Sequence, residues 1–101
     1  MLFANGGKAL AESLKGNKVM QELNISGNYL GYNSDYNSNM SGVIAVSYAI
    51  PTMGAMAKFT FSGNEGPPVT MEASMVEADF SNKKLGVPEA IMLAAFLPKC
   101  Q

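Results

Sequence analysis

The stretch Met20-Gln-Glu-Leu23-Asn-Ile25-Ser-Gly-Asn28-Tyr-Leu30-Gly31 decides the predicted fold, because a similar stretch follows it 36 residues later. The second stretch reads Met56-Ala-Lys-Phe59-Thr-Phe61-Ser-Gly-Asn64, with the same apolar spacing and the same Ser-Gly-Asn triplet. A looser third copy occupies residues 75–86 and begins 19 residues after the second. Repetition at such intervals predicts a fold built from stacked units, each too small to bury its own apolar face.

Each copy is accompanied by an apolar segment with helical spacing. The pairs of apolar residues four positions apart are Leu10 and Leu14, Val46 and Ile50, and Leu93 and Leu97. Such spacing places both members of a pair on one face of a helix. Ser41 is a predicted N-cap of the second helix, and Pro88 suits the first turn of the third.

Short strands are predicted within the repeated stretches, because apolar and polar residues alternate there. The apolar members of each stretch are Leu23 and Ile25, Phe59 and Phe61, and Ala78 and Phe80. Helices that alternate with strands predict parallel strands and an α/β architecture. We therefore expect one segment, 1–101, with units at about 7–31, 42–64 and 75–97 and insertions at 32–41 and 65–74.

The first copy resembles a leucine-rich repeat of the ribonuclease-inhibitor-like subclass, whose motif is L-x-x-L-x-L-x-x-N-x-L. Met20, Leu23, Ile25, Asn28 and Leu30 occupy its constrained positions, with one conservative change at the first. The resemblance implies a solenoid with short parallel strands on the concave side and helices on the convex side. It also implies that Asn28 and Asn64 turn inward and hydrogen-bond backbone groups at the bend after each strand.

The family's common mode of action implies that a partner protein binds the concave face of the strands. The outward positions implied for this contact are Glu22, Asn24 and Ser26, then Lys58, Thr60 and Ser62, then Glu77, Asp79 and Ser81. Tyr29 and Tyr32 adjoin this face, and tyrosine brings a large contact area at low entropy cost. Three strands about 4.8 Å apart give a face only about 10 Å wide, which favours a small interface.

The narrow face leaves a second hypothesis open, in which the chain is a structural segment of a longer array with no binding activity of its own. The chain begins and ends in predicted helices without polar caps, so we expect exposed apolar surface and self-association. Flanking coding sequence would distinguish the two hypotheses by revealing further repeats.

Enzymatic and metal-binding functions are disfavoured by the composition. The chain has no histidine, and its seven basic residues are all lysine. Histidine is the usual general base near neutral pH and a common zinc ligand. Glu77 and Asp79 form an isolated carboxylate pair, and the Asn-rich loop at 32–39 lacks the glycine and glutamate of a calcium loop. We expect no enzyme activity, no cofactor and no metal.

Charge and cysteine content also limit the classes of partner and compartment. A net charge of −1 without arginine disfavours nucleic acid as a partner. One cysteine allows no internal disulfide, no apolar run approaches the ~18–20 residues of a membrane span, and the N-terminus does not resemble a signal peptide. These features predict a cytoplasmic protein without a membrane partner.

The second insertion carries a period-two pattern, because Val69, Met71 and Ala73 alternate with polar residues. We expect residues 69–73 to form a short strand on the convex side, in place of a helix.

Overall fold

The computed structural model describes residues 1–62, 67–77 and 85–100, which form an α/β domain. The three α-helices are α1 (Phe3–Leu14), α2 (Ser41–Ala49) and α3 (Val87–Phe96), and the strands are β1 (Glu22–Asn24), β2 (Lys58–Phe61) and β3 (Val69–Glu72). Short 3-10 turns at Ile50–Thr52 and Leu97–Lys99 extend α2 and α3. The α/β class predicted from the sequence is confirmed.

The sheet has the order β1-β2-β3 and is mixed. Strand β1 pairs with β2 in parallel, with Glu22 opposite Lys58, Leu23 opposite Phe59 and Asn24 opposite Thr60. Every one of these pairs is separated by 36 residues, the interval of the sequence repeat. The repeat therefore corresponds to the register of the two parallel strands, and α2 forms the crossover between them.

The helices cover one face of the sheet. Phe59 and Phe61 of β2 alternate with half-buried residues and lie in one hydrophobic core with Val46 of α2 and Phe96 of α3. The ring of Phe59 stacks on those of Phe61 and Phe96, each with a centroid separation of 6.3 Å. Burial of these rings supplies much of the apolar area that stabilises a domain of this size.

Helices α1 and α2 pack closely because glycine occupies the point where they meet. A Cβ added to Gly7 would lie 3.2 Å from the Cα of Gly42. Residues without a side chain allow two helix backbones to approach more closely than the usual ~8–10 Å. This contact sets how closely α1 packs against α2.

Strand β3 corrects the prediction for the second insertion. The predicted strand exists, but it pairs with β2 in antiparallel orientation within the sheet and does not run along the helix side. The described residues therefore form three helices and a mixed sheet of three strands, and they show no solenoid. Ala78 and Phe80 of the predicted third strand lie outside the described residues.

The start of α2 also differs from the prediction. Ser41 is the first helical residue, Met40 occupies the N-cap position without a side-chain cap, and Asn39 holds the turn before the helix. The Oδ1 atom of Asn39 accepts hydrogen bonds from the Ser41 backbone N–H and from the Ser41 hydroxyl, at 3.0 and 2.6 Å. Pro88 lies in the first turn of α3, as predicted. Within the ranges given above, no helix is both long enough and apolar enough to cross a membrane.

Candidate binding face

The face of the sheet opposite the helices is polar, and no other described element covers it. We call it the polar face, and its six residues are Glu22, Asn24, Lys58, Thr60, Thr70 and Glu72. Alternation along the strands places these side chains outward while their neighbours enter the core. A shallow depression of about 420 Å³ lies on this face, lined by five of the six and by Leu23.

Two rows of side chains cross the polar face. In the first row, Lys58 of β2 lies directly between Glu22 of β1 and Glu72 of β3. Neighbouring strands lie about 4.8 Å apart, so the charges alternate negative, positive, negative over about 10 Å. Opposite charges on adjacent strands attract, and they stabilise a sheet by about 0.2–1 kcal/mol per pair.

The second row is neutral and forms hydrogen bonds. Asn24 lies opposite Thr60, and Thr60 lies opposite Thr70. The two threonine hydroxyl oxygens are 3.0 Å apart and share a hydrogen bond. Hydroxyl and amide groups in such a row can each donate and accept, so they can pair with the backbone or polar side chains of a partner.

The turn after β1 is held by the side chain of the last residue of β1 and by that of the residue after β2. The Oδ1 atom of Asn24 accepts from the Ser26 backbone N–H and hydroxyl, at 3.0 and 2.7 Å. The backbone N–H of Gly27, whose φ is 76°, donates to the Ser62 hydroxyl at 2.7 Å. Ser62 is only 8% exposed, so its predicted outward position is wrong. Strand β2 ends at Phe61, and the next residue turns beneath the loop instead of continuing the alternation.

Asn28 completes this turn. Its Nδ2 atom donates to the carbonyl oxygens of Ile25 and Ser26, at 3.2 and 3.4 Å. Its own carbonyl oxygen accepts from the Phe3 backbone N–H at the start of α1. The side chain is half-buried and bonds within its own turn. Asn64, predicted to have the same role, lies outside the described residues.

Four aromatic rings cluster around the segment that follows β1. Tyr29 packs against Phe3, Tyr32 and Tyr36 with ring centroids 6.0–6.3 Å apart, and Phe3 meets Tyr36 edge-on at 5.6 Å. We call these four residues the aromatic cluster. Tyr36 is 61% exposed, and Tyr29 and Tyr32 are half-buried. The cluster therefore exposes aromatic surface to solvent while its rings pack against one another.

Unusual backbone conformations occur in this same cluster. Phe3, Tyr29 and Tyr36 have φ values of 53°, 49° and 63°, the only non-glycine residues in the described part of the chain with positive φ. Such conformations cost on the order of 1–3 kcal/mol each and persist where surrounding contacts hold them. The mutual ring packing and the bond from the Phe3 N–H to the Asn28 carbonyl oxygen are such contacts.

The Asn-rich loop uses its side chains to hold its own shape. The Oδ1 atom of Asn33 accepts from the backbone N–H groups of Asp35 and Asn37, each at 3.0 Å. An isolated β-bridge joins Tyr32 to Ser38. Throughout the described ranges, no group of three or more acidic, histidine or cysteine residues is placed to hold a metal ion.

The structure separates some of the residues that the sequence grouped together. Glu77 is exposed, follows the end of β3 and lines a different depression, with Leu97 and Cys100. Asp79 and Ser81 lie outside the described residues. Thr70 and Glu72 of β3 also lie on the polar face, and the sequence-based prediction of outward residues did not include them. The alternation with Val69 and Met71 already indicates that these two residues lie on the opposite side of a strand.

Comparison of the chain with protein-family models, with curated proteins and with solved structures finds no match.

Proposed function

We propose that this chain is a protein–protein interaction module that binds a partner protein through the polar face and the adjoining aromatic cluster. The observation that carries the proposal is the difference between the two faces of the sheet. All three helices pack on one face, and the other face presents two ordered rows of polar side chains to solvent.

The polar face combines features that favour recognition of a polypeptide. Its backbone is fixed by strand pairing, so little backbone entropy is lost on binding. The row Glu22–Lys58–Glu72 suits a partner with the opposite order of charges, and the row Asn24–Thr60–Thr70 suits hydrogen-bonding groups.

The aromatic cluster adds the apolar contact that the polar face lacks. Tyrosine is enriched among residues that dominate binding energy. Tyr29 follows the β1 turn that starts at Asn24, so the two surfaces are connected through residues 25–28. Together they are larger than three short strands alone, whose narrow face falls short of the ~800 Å² per partner of a standard interface.

An affinity-capture experiment with matched variants tests this proposal. Thr60→Arg places a bulky charge at the centre of the polar face, and Ser13→Arg places the same side chain on the exposed side of α1. Proteins captured from a lysate of the source cells are quantified by mass spectrometry for both variants and for the original chain. We expect a partner whose capture falls at least about tenfold with Thr60→Arg and is unchanged with Ser13→Arg.

The proposal fails if no captured protein depends on the polar face. Equal loss with both variants would indicate a general effect of the added charge. Thermal unfolding followed by circular dichroism checks that both variants remain folded.

A second candidate function is that of a structural segment in a longer leucine-rich repeat array. The 36-residue register of β1 on β2 supports it, as does the turn in which Asn28 bonds the backbone. In a parallel pair, alternate residues of an edge strand point their backbone groups away from the neighbour. The outer edge of β1 can therefore accept a further strand. If flanking coding sequence adds repeats in phase with residues 20–31, the array is supported, and if it adds none the array is contradicted.

A further inference from the structure

Strand β1 is an open edge of the described sheet, because it pairs with β2 on one side only. The Gln21 carbonyl oxygen and the Ile25 N–H both bond to backbone groups of β2, each at 3.0 Å. In a parallel pair, the backbone groups of successive residues point alternately toward and away from the neighbouring strand. The N–H and C=O groups of Glu22 and Asn24 therefore point away from β2, and no described residue outside the sheet bonds to them.

The other edge of the sheet provides an internal comparison. At the end of β3, the Glu72 carbonyl oxygen accepts from the Met75 N–H at 3.1 Å and from the Cys100 thiol at 3.4 Å. The chain thus covers part of the β3 edge itself, whereas the described residues leave the β1 edge uncovered. A row of unpaired backbone donors and acceptors is a template for pairing with another extended chain.

The side chains on the polar face favour a basic residue beside this edge. A strand added next to β1 continues the row of alternating charges at Glu22. A lysine or arginine opposite Glu22 is attracted, and a carboxylate is repelled. The Asn24 side chain uses its Oδ1 atom to hold Ser26, and its Nδ2 atom donates to no described residue. That amide suits a hydroxyl acceptor on the added strand.

The side chains on the helix side of the same edge favour an apolar residue. Leu10, Met20 and Leu23 pack against the core but are only partly buried. They belong to the first helix and first strand of the chain and to the segment between them, and α1 and β1 make their main contacts with α2 and β2. A residue opposite Leu23 on an added strand lies on this side of the sheet, where an apolar side chain covers apolar surface.

We propose that the partner protein adds an extended segment to β1 as an antiparallel fourth strand. Its basic, apolar and hydroxyl residues lie opposite Glu22, Leu23 and Asn24. This binding mode rests on the proposed function and specifies which part of the partner is recognised. Antiparallel pairing is the more stable arrangement per residue. All three residues of β1 also line the depression on the polar face, so the edge and that face form one continuous surface. Backbone bonds give such a contact its affinity, and alternate side chains give its specificity.

The probe for this edge is the peptide acetyl-Val-Thr-Val-Lys-Thr-amide. In antiparallel pairing its first threonine, central valine and lysine lie opposite Asn24, Leu23 and Glu22. The peptide is titrated into the full chain up to about 5 mM and followed by NMR of the backbone amides. We expect a Kd of about 1 mM and downfield shifts of the Glu22 and Asn24 amide protons, which gain acceptors. No shift of these two protons at the highest concentration would overturn the proposal.

Two N-methylated peptides are matched controls for the backbone bonds. Methylation of the lysine nitrogen removes the donor that faces Glu22, whereas methylation of the central valine changes an N–H that points away from β1. We expect the first to weaken binding at least about tenfold and the second to change it less than about twofold. Equal weakening would overturn the proposal. So would weakening by the valine methylation alone, which indicates a parallel strand such as a further repeat would add.

A variant of the protein tests the same edge with the partner itself. Glu22→Pro removes the outward N–H and leaves the bonds to β2, because proline is tolerated where the N–H of an edge strand faces solvent. Glu22→Gln keeps that N–H and removes only the charge. We expect Glu22→Pro to reduce partner capture at least about fivefold more than Glu22→Gln. Circular dichroism melts check that both variants are folded.

Failure of the added strand is distinguishable from failure of the proposed function. If Thr60→Arg abolishes capture and the two Glu22 variants behave alike, the added strand is contradicted and the polar face still binds. If the peptide binds but no captured protein depends on the polar face, the proposed function is contradicted. A dimer of the free chain that Glu22→Pro dissociates in sedimentation would identify a second copy as the occupant and overturn the proposal.

Discussion

Gly42 lies directly against Ala4, so that a Cβ at Gly42 would stand 2.6 Å from the Ala4 carbonyl oxygen and 2.9 Å from its Cα. Both positions are buried between α1 and α2. A backbone cannot give way as a flexible side chain can, so this contact sets the separation of the two helices.

Gly42→Ala should therefore destabilise the protein, although alanine is the better helix former. We expect a loss of about 1–3 kcal/mol in the free energy of unfolding, because overpacking a close helix contact forces the backbones apart. Urea denaturation measures this change. Gly54→Ala is the matched control, since its Cβ would meet only the Lys18 side chain, at 3.6 Å, and should change stability little. Similar effects at the two glycines would contradict the account of the α1–α2 contact.

Lys58→Glu should destabilise the sheet, because it replaces the lysine between two glutamates with a third carboxylate. Glu22 and Glu72 lie directly opposite this position on the two neighbouring strands. Like charges facing each other across strands cost about 0.2–1 kcal/mol per pair. We expect about 0.5–2 kcal/mol in total, measured by urea denaturation at low salt.

The neutral variant Lys58→Gln separates charge from size at the same position. It should cost less than Lys58→Glu, and the difference between the two variants should shrink in 1 M salt, where the Debye length is about 3 Å. If the stability difference between the two variants does not depend on salt, residue 58 does not interact electrostatically with Glu22 and Glu72.

Glu89→Ala should destabilise α3 by removing the cap at its start. The Glu89 carboxylate accepts a hydrogen bond of 2.8 Å from the Gly86 backbone N–H and is 4% exposed. We expect a loss of about 1–2 kcal/mol in the free energy of unfolding. Glu89→Gln retains an acceptor oxygen and should recover part of this loss. Equal stability of the alanine and glutamine variants would show that the cap contributes nothing.

Tyr36→Gly should be more stable than Tyr36→Ala, the reverse of the order at most positions. The φ of Tyr36 is 63°, a conformation that glycine adopts freely and alanine does not. Both variants lose the ring, so their comparison isolates the backbone. We expect a difference of about 1 kcal/mol in favour of glycine from thermal unfolding. If alanine is the more stable, the loop does not hold this conformation in solution.

The predictable part of the fold depends on local periodicity. Leu10 and Leu14, four residues apart, lie on the inner side of α1, and Phe59 and Phe61, two apart, lie on the buried side of β2. The 36-residue interval equals the register of β1 on β2, in which Leu23 lies opposite Phe59. Periodicity thus predicted the parallel pair and four of the six residues of the polar face.

The orientation of β3 was not predictable from periodicity, because apolar and polar residues alternate in the same way whichever direction a strand runs. The alternating pattern at Val69 and Met71 fits a parallel or an antiparallel strand equally well. Chain length decides between them. Only seven residues separate Phe61 from Val69, and a parallel crossover needs about a dozen. The antiparallel strand β3 therefore adds Thr70 and Glu72 to the polar face.

The aromatic cluster was only partly visible in the sequence. Tyr29, Tyr32 and Tyr36 are close in the chain, but Phe3 joins them from the start of α1. That contact depends on the bond between the Phe3 N–H and the Asn28 carbonyl oxygen, a tertiary interaction with no sequence signal. Ser62 likewise follows the alternation of β2 in sequence but is turned inward by Gly27.

Residue-resolved NMR of the chain, titrated with a purified partner from the capture experiment, tests the binding face most directly. We predict that the largest chemical-shift changes occur at the Thr60 and Thr70 methyl groups and the Asn24 side-chain amide. Residues on the exposed side of α1, such as Ala9 and Ser13, should not change. Shift changes confined to the helices, with the polar face unaltered at saturation, would contradict the proposal that this face binds the partner.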